Sequence, residues 1–106
     1  MQQANLMVVN RNISELHFAY YNPRKISKEE FEDLKRSLSG FGVVQPAVIN
    51  RYPKRRNVVI AGEQRIRAAK KLGWKQFPCI EVSLPLEKEK ELNVRLALHA
   101  SGTAPV

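Results

Sequence analysis

With one cysteine, two histidines and no long apolar run, the sequence excludes several functions at once. Cys79 has no second cysteine to pair with, and with only His17 and His99 there is no cysteine–histidine cluster at zinc spacing. No apolar stretch approaches the roughly 18 residues of a spanning helix, so no membrane partner is expected. The first nine residues, MQQANLMVV, lack a basic n-region and an extended apolar core, so no secretory signal is read and the expected location is the cytoplasm. Hydrophobic residues at 43% and charged residues at 26% give the balance of a folded soluble chain. A length of 106 residues suits one domain, expected over 1–99, with 100–106 as a frayed tail without periodicity.

The charge is abundant and unevenly placed. Between Arg51 and Lys75 stand nine bases and one acid, Glu63, so this segment alone carries the whole net charge of +8. Such segregation predicts a polyanionic partner: nucleic acid, a nucleotide or an anionic surface. A well-solvated basic face is the plainer alternative.

The hydrophobic pattern predicts an α+β chain. Leu6 to Val9 suits a strand, Ile13, Leu16 and Phe18 extend the apolar pattern, and Pro23 keeps Asn22 extended. Ser27 and Glu30 form a capping box, and Phe31, Leu34, Leu38 and Phe41 follow as one apolar stripe of a helix ended by Gly40 or Gly42. Ala47 to Asn50 and Val58 to Ala61 read as a hairpin around the basic turn Tyr52 to Asn57. After Gly62 the period changes: Ile66, Ala69 and Leu72 line a helical face that Gly73 stops. Phe77 to Val82 is a strand carrying Cys79 into the core. A last helix follows Ser83 and Pro85, with Leu86, Leu92, Leu96 and Leu98 inward and the Glu87-Lys88-Glu89-Lys90-Glu91 run exposed. Trp74 reads as a packing residue.

The run Val58 to Ala69, a strand passing through Gly62 into a helix, carries the most chemistry. Free amides and the positive end of the helix dipole meet there, which favours an anion. Gly62 allows close approach to the backbone, Arg65 can fork onto phosphate oxygens, and Arg67 lies about 200° round the helix on the other flank. A plain tight turn, with the arginines paired to Glu63, Glu87 or Glu89, fits the same residues.

Ile60-Ala61-Gly62-Glu63-Gln64-Arg65-Ile66-Arg67-Ala68-Ala69, preceded by Asn22-Pro23-Arg24 and by Phe41-Gly42-Val43-Val44-Gln45-Pro46, resembles the N-terminal domain of the ParB family, in the ParB/sulfiredoxin superfamily. The three motifs occur in family order across roughly Leu6 to Leu96. The resemblance implies a small mixed sheet with about three helices that binds CTP, or in some branches ATP, with Mg²⁺. It implies triphosphate contacts from Gly62, Glu63, Arg65 and Arg67, from Gly42, Val44, Gln45 and Pro46, and from Asn22 and Arg24. The opening Asn-Pro-Arg without an intervening glutamine resembles phage and mobile-element members. Partition proteins of the family carry downstream helix-turn-helix and dimerisation domains, which this chain, ending at Val106, does not show; a homodimer or a longer parent remains compatible. The clamp-forming branch has a Glu-Asn pair on the last helix, where this sequence reads Glu91-Leu92-Asn93.

Three functions follow as expectations. The first is a nucleotide-binding module in DNA transactions such as partition, plasmid or phage maintenance or DNA modification, with Lys54, Arg55, Arg56, Lys70, Lys71 and Lys75 on DNA phosphates. The second is a phosphotransferase or nuclease with Glu63 as its acid/base, and the third an electrostatic DNA-binding fragment without a pocket. Sulfiredoxin's catalytic cysteine lies in the loop where this chain has Glu63, and Cys79 sits in a core strand, so sulfinic acid reduction is not expected.

Overall fold

The computed structural model describes residues 7–22 and 25–100, with backbone alone for 98–100. Five strands, β1 (Val8–Asn12), β2 (His17–Phe18), β3 (Ala47–Asn50), β4 (Val58–Ala61) and β5 (Gln76–Val82), form one sheet ordered β1-β5-β3-β4-β2. It is mixed: β1/β5 and β3/β4 run antiparallel, β3/β5 and β2/β4 parallel. Three helices complete the α+β fold: α1 (Lys28–Phe41), α2 (Glu63–Lys71) and α3 (Leu86–Ala100).

The sheet must curl. Strands β1 and β2 are consecutive in the chain yet occupy opposite edges, which in a flat sheet lie about 19 Å apart, four spacings of roughly 4.8 Å. The link from Asn12 to His17 spans about 17 Å even when fully extended, and Ile13–Glu15 contract it further into a 3₁₀ turn. Twist brings the edges together. Arg11 on β1 fastens the closure, donating to Glu81 Oε2 at 2.7 Å and to Asn57 Oδ1 in the β3–β4 hairpin at 2.6 Å.

Helices α1 and α2 cover one face. Their Leu38, Ile66, Ala68 and Ala69 join Ala47, Ile49, Val59, Phe77 and Cys79 in the main core, with Ile13 at its rim. Because side chains alternate along a strand, Asn50 of β3 faces the other way and meets α3. A bulge between Val48 and Ile49 takes Ile60 out of register, and the Ile60 carbonyl accepts instead from Asn93 Nδ2 of α3 at 2.8 Å.

Several expectations are met. The Ser27–Glu30 capping box forms with both bonds, Gly42 at φ +72 ends α1, Gly73 at φ +89 follows α2, and the two predicted hairpin strands pair. Trp74 packs against the core 6.3 Å from the Phe77 ring. Three readings are corrected. Strand β1 begins at Val8 and runs on to Asn12, because pairing with β5 rather than apolarity sets its extent; Leu6 lies outside the described residues. Phe41 is 84% exposed, since the chain turns at Gly42 and Val43 takes the core position. Glu89, read as part of an exposed charged run, is fully buried, on the same helical face as Leu86, Asn93 and Leu96.

Replacing the cap should loosen α1 alone. Ser27→Ala removes the acceptor for the Glu30 amide and should cost about 1 kcal/mol, lowering the melting temperature by about 4–8 °C in a domain of this size. Calorimetric melting checks this; an unchanged midpoint would show the cap to be energetically idle.

Candidate functional site

The turn from β4 into α2 is built on glycine for two reasons. Gly62 holds φ +103, a left-handed conformation, and a Cβ there would lie 2.9 Å from the Ala47 Cβ and 3.2 Å from its Cα. The turn thus packs its bare backbone against β3. The helix starts with no side-chain cap at Gly62, and its first hydrogen bond runs from the Ile66 amide to the Gly62 carbonyl at 2.9 Å. Amides of a helix's first turn lack intrahelical acceptors and point out of its N-terminus, where the dipole adds positive potential.

That N-terminus opens on a cleft of about 530 Å³. Its polar wall comprises Asn22, Gln45, Gly62, Glu63, Gln64 and Arg65, and its apolar wall comes from Ile26, Leu34, Val48, Ile60 and Leu96. A smaller cavity of about 130 Å³, reached by Gly42 and Val44, adjoins it through the shared Leu34, Gln45 and Arg65.

Arg65 is the unusual charge. Its guanidinium donates to the Gln45 carbonyl, and burial holds its pKa below the ordinary arginine value. Among the described residues no carboxylate pairs with it, although other arginines of the chain find one. A partly buried cation bonded to a neutral carbonyl at the wall of a cleft has the charge and the donor geometry that suit an anion.

Glu63, two residues before it, is held at both oxygens. Asn22 Nδ2 donates to Oε1 at 2.7 Å, while Arg67 Nε and Nη2 donate to Oε2 at 2.9 and 2.8 Å. Arg67 in turn lies over the Phe18 ring, 4.2 Å from its centroid. The helix therefore sends its two arginines to opposite flanks, as the 200° rotation predicts, and only Arg65 lines the cleft.

Of the expected nucleotide contacts, Asn22, Gln45, Pro46, Gly62, Glu63 and Arg65 line the main cleft and Gly42 and Val44 the adjoining cavity. Arg67 is committed to Glu63 and Phe18 instead, and Arg24 lies outside the described residues. The sequence reading missed the wall supplied by α3, where Asn93, Leu96 and Ala97 face the cleft. A polar residue at the spacing of an apolar stripe was the available signal.

The basic segment has divided tasks. Lys54, Arg56, Lys70, Lys71 and Lys75 are exposed. Arg55 is not available to a phosphate: Nε and Nη2 grip the two oxygens of buried Glu89 at 2.9 and 2.8 Å, which corrects its placement among the DNA contacts. The Ile13 amide donates to the Lys75 carbonyl and the His17 amide to the Asn57 carbonyl. Ile13 and His17 are at most about 14 Å apart, so the α2–β5 turn and the hairpin tip flank one short crossover.

Cys79 is buried, donates to the Phe77 carbonyl at 3.2 Å, and burial pushes its thiol up to about 11, which makes it a packing residue and no nucleophile. Among the described residues no three of His, Cys, Asp and Glu gather as a metal cage, and no helix is long and apolar enough to cross a membrane.

The chain is 44% identical over 70 residues to the probable chromosome-partitioning protein ParB of Vibrio cholerae serotype O1, covering 65% of this chain and 24% of that protein. It spans about a quarter of that relative's length. The fold superimposes with a TM-score of 0.78 and 25% identity on the C-terminally truncated chromosome-partitioning protein ParB from Caulobacter crescentus, complexed with CTP-gamma-S, over 93% of this chain and 56% of that one. Sulfiredoxin from Arabidopsis thaliana matches with a TM-score of 0.67 over 87% of this chain and 97% of its own, a likeness of fold alone at 18% identity. With the ParB N-terminal domain profile matching residues 1–100, these likenesses and the Gly62 turn place the chain in the ParB N-terminal domain family.

Proposed function

We propose that the cleft binds a nucleoside triphosphate, CTP before ATP, and that the domain works in DNA transactions of the partition type. The observation that carries this reading is Arg65: a partly buried cation without a carboxylate partner among the described residues, beside a helix N-terminus and a glycine turn. The apolar wall offers a surface for a base or sugar, the usual division of a small-molecule site. The Caulobacter crescentus relative, complexed with CTP-gamma-S, supports the choice of CTP.

Mg²⁺ would enter with the triphosphate. It commonly binds through phosphates, waters and one or two carboxylates, and Glu63 is the carboxylate on the cleft wall. When bound it would neutralise phosphate charge. Whatever the ion does, this chain's residues hold the anion at Arg65 and the amides of the turn, and keep Glu63 oriented between Asn22 and Arg67.

Calorimetric titration with CTP, ATP, GTP and UTP tests the reading. Arg65→Ala should weaken the preferred triphosphate by about 1.5–3 kcal/mol, roughly ten- to a hundredfold. Its melting temperature should change little, because the side chain is only partly buried and gives up one bond, to the Gln45 carbonyl. Undiminished binding by the variant would refute the phosphate assignment.

Glu63→Gln keeps shape and removes the acceptor charge. Affinity should stay within a few-fold, and any hydrolysis or transfer should fall by about 10² or more if Glu63 is the acid/base. Product analysis after prolonged incubation decides, and full turnover by the variant would release Glu63 from that role.

The exposed bases are proposed to meet DNA phosphates without sequence preference. Lys54→Gln with Arg56→Gln should flatten the slope of log K against log salt by about two units on duplex DNA and leave nucleotide affinity intact. Mobility shifts over a salt series measure this; an unchanged slope would remove the hairpin tip from the DNA surface.

A further inference from the structure

Glu89 accepts four hydrogen bonds, two at each oxygen, on a helix position read as exposed. Its residue is fully buried on α3, yet it carries a carboxylate. Oε1 accepts from Asn50 Nδ2 at 2.8 Å and from Arg55 Nε at 2.9 Å, and Oε2 from Arg55 Nη2 at 2.8 Å and the Tyr21 hydroxyl at 2.6 Å. Burial alone would raise its pKa, but the bonds from Arg55, Tyr21 and Asn50 outweigh it and hold the carboxyl below its usual range. Asn50 is itself fixed by the Leu84 backbone, donating to its carbonyl at 2.8 Å and accepting from its amide at 3.0 Å. Arg55 and Lys90 lie 5.9 and 5.7 Å from the Tyr20 ring, and Tyr20 meets Tyr21 edge-on.

A buried ion pair of this kind is poor evidence for stability, because apolar residues of similar volume commonly do as well or better; its attested use is to specify geometry. The geometry specified here is next to the cleft. Tyr21 and Asn22 are adjacent on a segment without helix or strand, closed by a bond from the Asn22 amide to the Ala19 carbonyl at 3.2 Å. Tyr21 gives its hydroxyl to Glu89 of α3, and Asn22 gives its side-chain amide to Glu63 of α2 at 2.7 Å. Two neighbouring residues thus connect a buried carboxylate outside the cleft to the carboxylate on its wall.

We propose that Glu89 is a positioning residue for the nucleotide cleft: by anchoring Tyr21 it fixes Asn22, which itself lines the cleft, and holds the Asn22 amide against Glu63. Glu89 touches no ligand in this scheme. The inference rests on the reading of the cleft as a nucleotide site, and it assigns work to a part of α3 that lies outside the cleft. Tyr21→Phe is the informative variant, because it keeps the ring and removes only the hydroxyl, whereas Glu89→Gln leaves Arg55 buried beside a neutral group and endangers folding.

The test is a double-mutant cycle of Tyr21→Phe and Asn22→Ala on the whole chain, read by titration with CTP, ATP, GTP and UTP and by NMR of the Asn22 side-chain amide without nucleotide. Each single variant should weaken the preferred triphosphate about three- to tenfold, and the double variant should be no weaker than the weaker single, since both act through one contact. In Tyr21→Phe the Asn22 amide signals should move and exchange faster with water. Multiplying effects, or parental affinity in Tyr21→Phe with a lowered melting temperature, would reduce Glu89 to a structural role and overturn the inference while the nucleotide reading stood. Binding of none of the four by the parent would end that reading. Unmoved Asn22 signals would refute the positioning independently of any ligand.

Discussion

The contact of Gly62 with Ala47 is the constraint from which the site follows. A left-handed residue with no Cβ lets β4 pass into α2 while its backbone lies against β3, and any side chain would have to displace a strand. Because the turn is that close, the first turn of α2 stands directly over the Gln45–Pro46 segment, and the Arg65 guanidinium reaches the Gln45 carbonyl. The same turn leaves the helix end without a side-chain cap. An incoming anion would complete a helix terminus and pair with the Arg65 charge in one step.

The arginines show why net charge describes the surface only coarsely. Nine bases crowd the segment from Arg51 to Lys75, yet the fold gives them different surroundings. Arg55 goes inward to Glu89, Arg67 lies across Phe18 and Glu63, Arg65 faces the cleft, and Lys54, Lys70, Lys71 and Lys75 stay exposed. A sum of charges is indifferent to these environments. Burial decides them, since a desolvated arginine interacts far more strongly with its partner than a solvated lysine does.

Local features were legible in the sequence because their causes are local. The capping box at Ser27, the turn at Gly42, the stop at Gly73 and the β3–β4 hairpin each depend on residues within a few positions. The motifs shared with the family located most of the cleft's polar wall. What escaped depends on partners far along the chain. Glu89 reads as part of a charged surface run until Asn50, Arg55 and Tyr21, which lie 34 to 68 positions away, supply its donors. Phe41 continues a helical stripe whose partner surface ends one turn earlier, and no periodicity marks where a neighbouring element stops. The placing of β1 and β2 at opposite edges of a curled sheet likewise depends on pairing to β5 and β4. Two polar residues at inward positions of α3, Glu89 and Asn93, were the visible trace of that helix's packing.

A shared fold leaves the chemistry open, and the residue after Gly62 narrows it. The sulfiredoxin likeness covers 87% of this chain, while the chain's one thiol is a buried packing group on β5. Glu63 stands at the first helical position. A carboxylate there would by itself repel a phosphate at the same helix end, offsetting part of what the amides and dipole offer. Its pairing with Arg67 and the Asn22 amide cancels that repulsion within the wall and turns both oxygens away from free movement. What faces the cleft electrostatically is then Arg65, which has no carboxylate partner among the described residues, with Glu63 held as an oriented acceptor beside it.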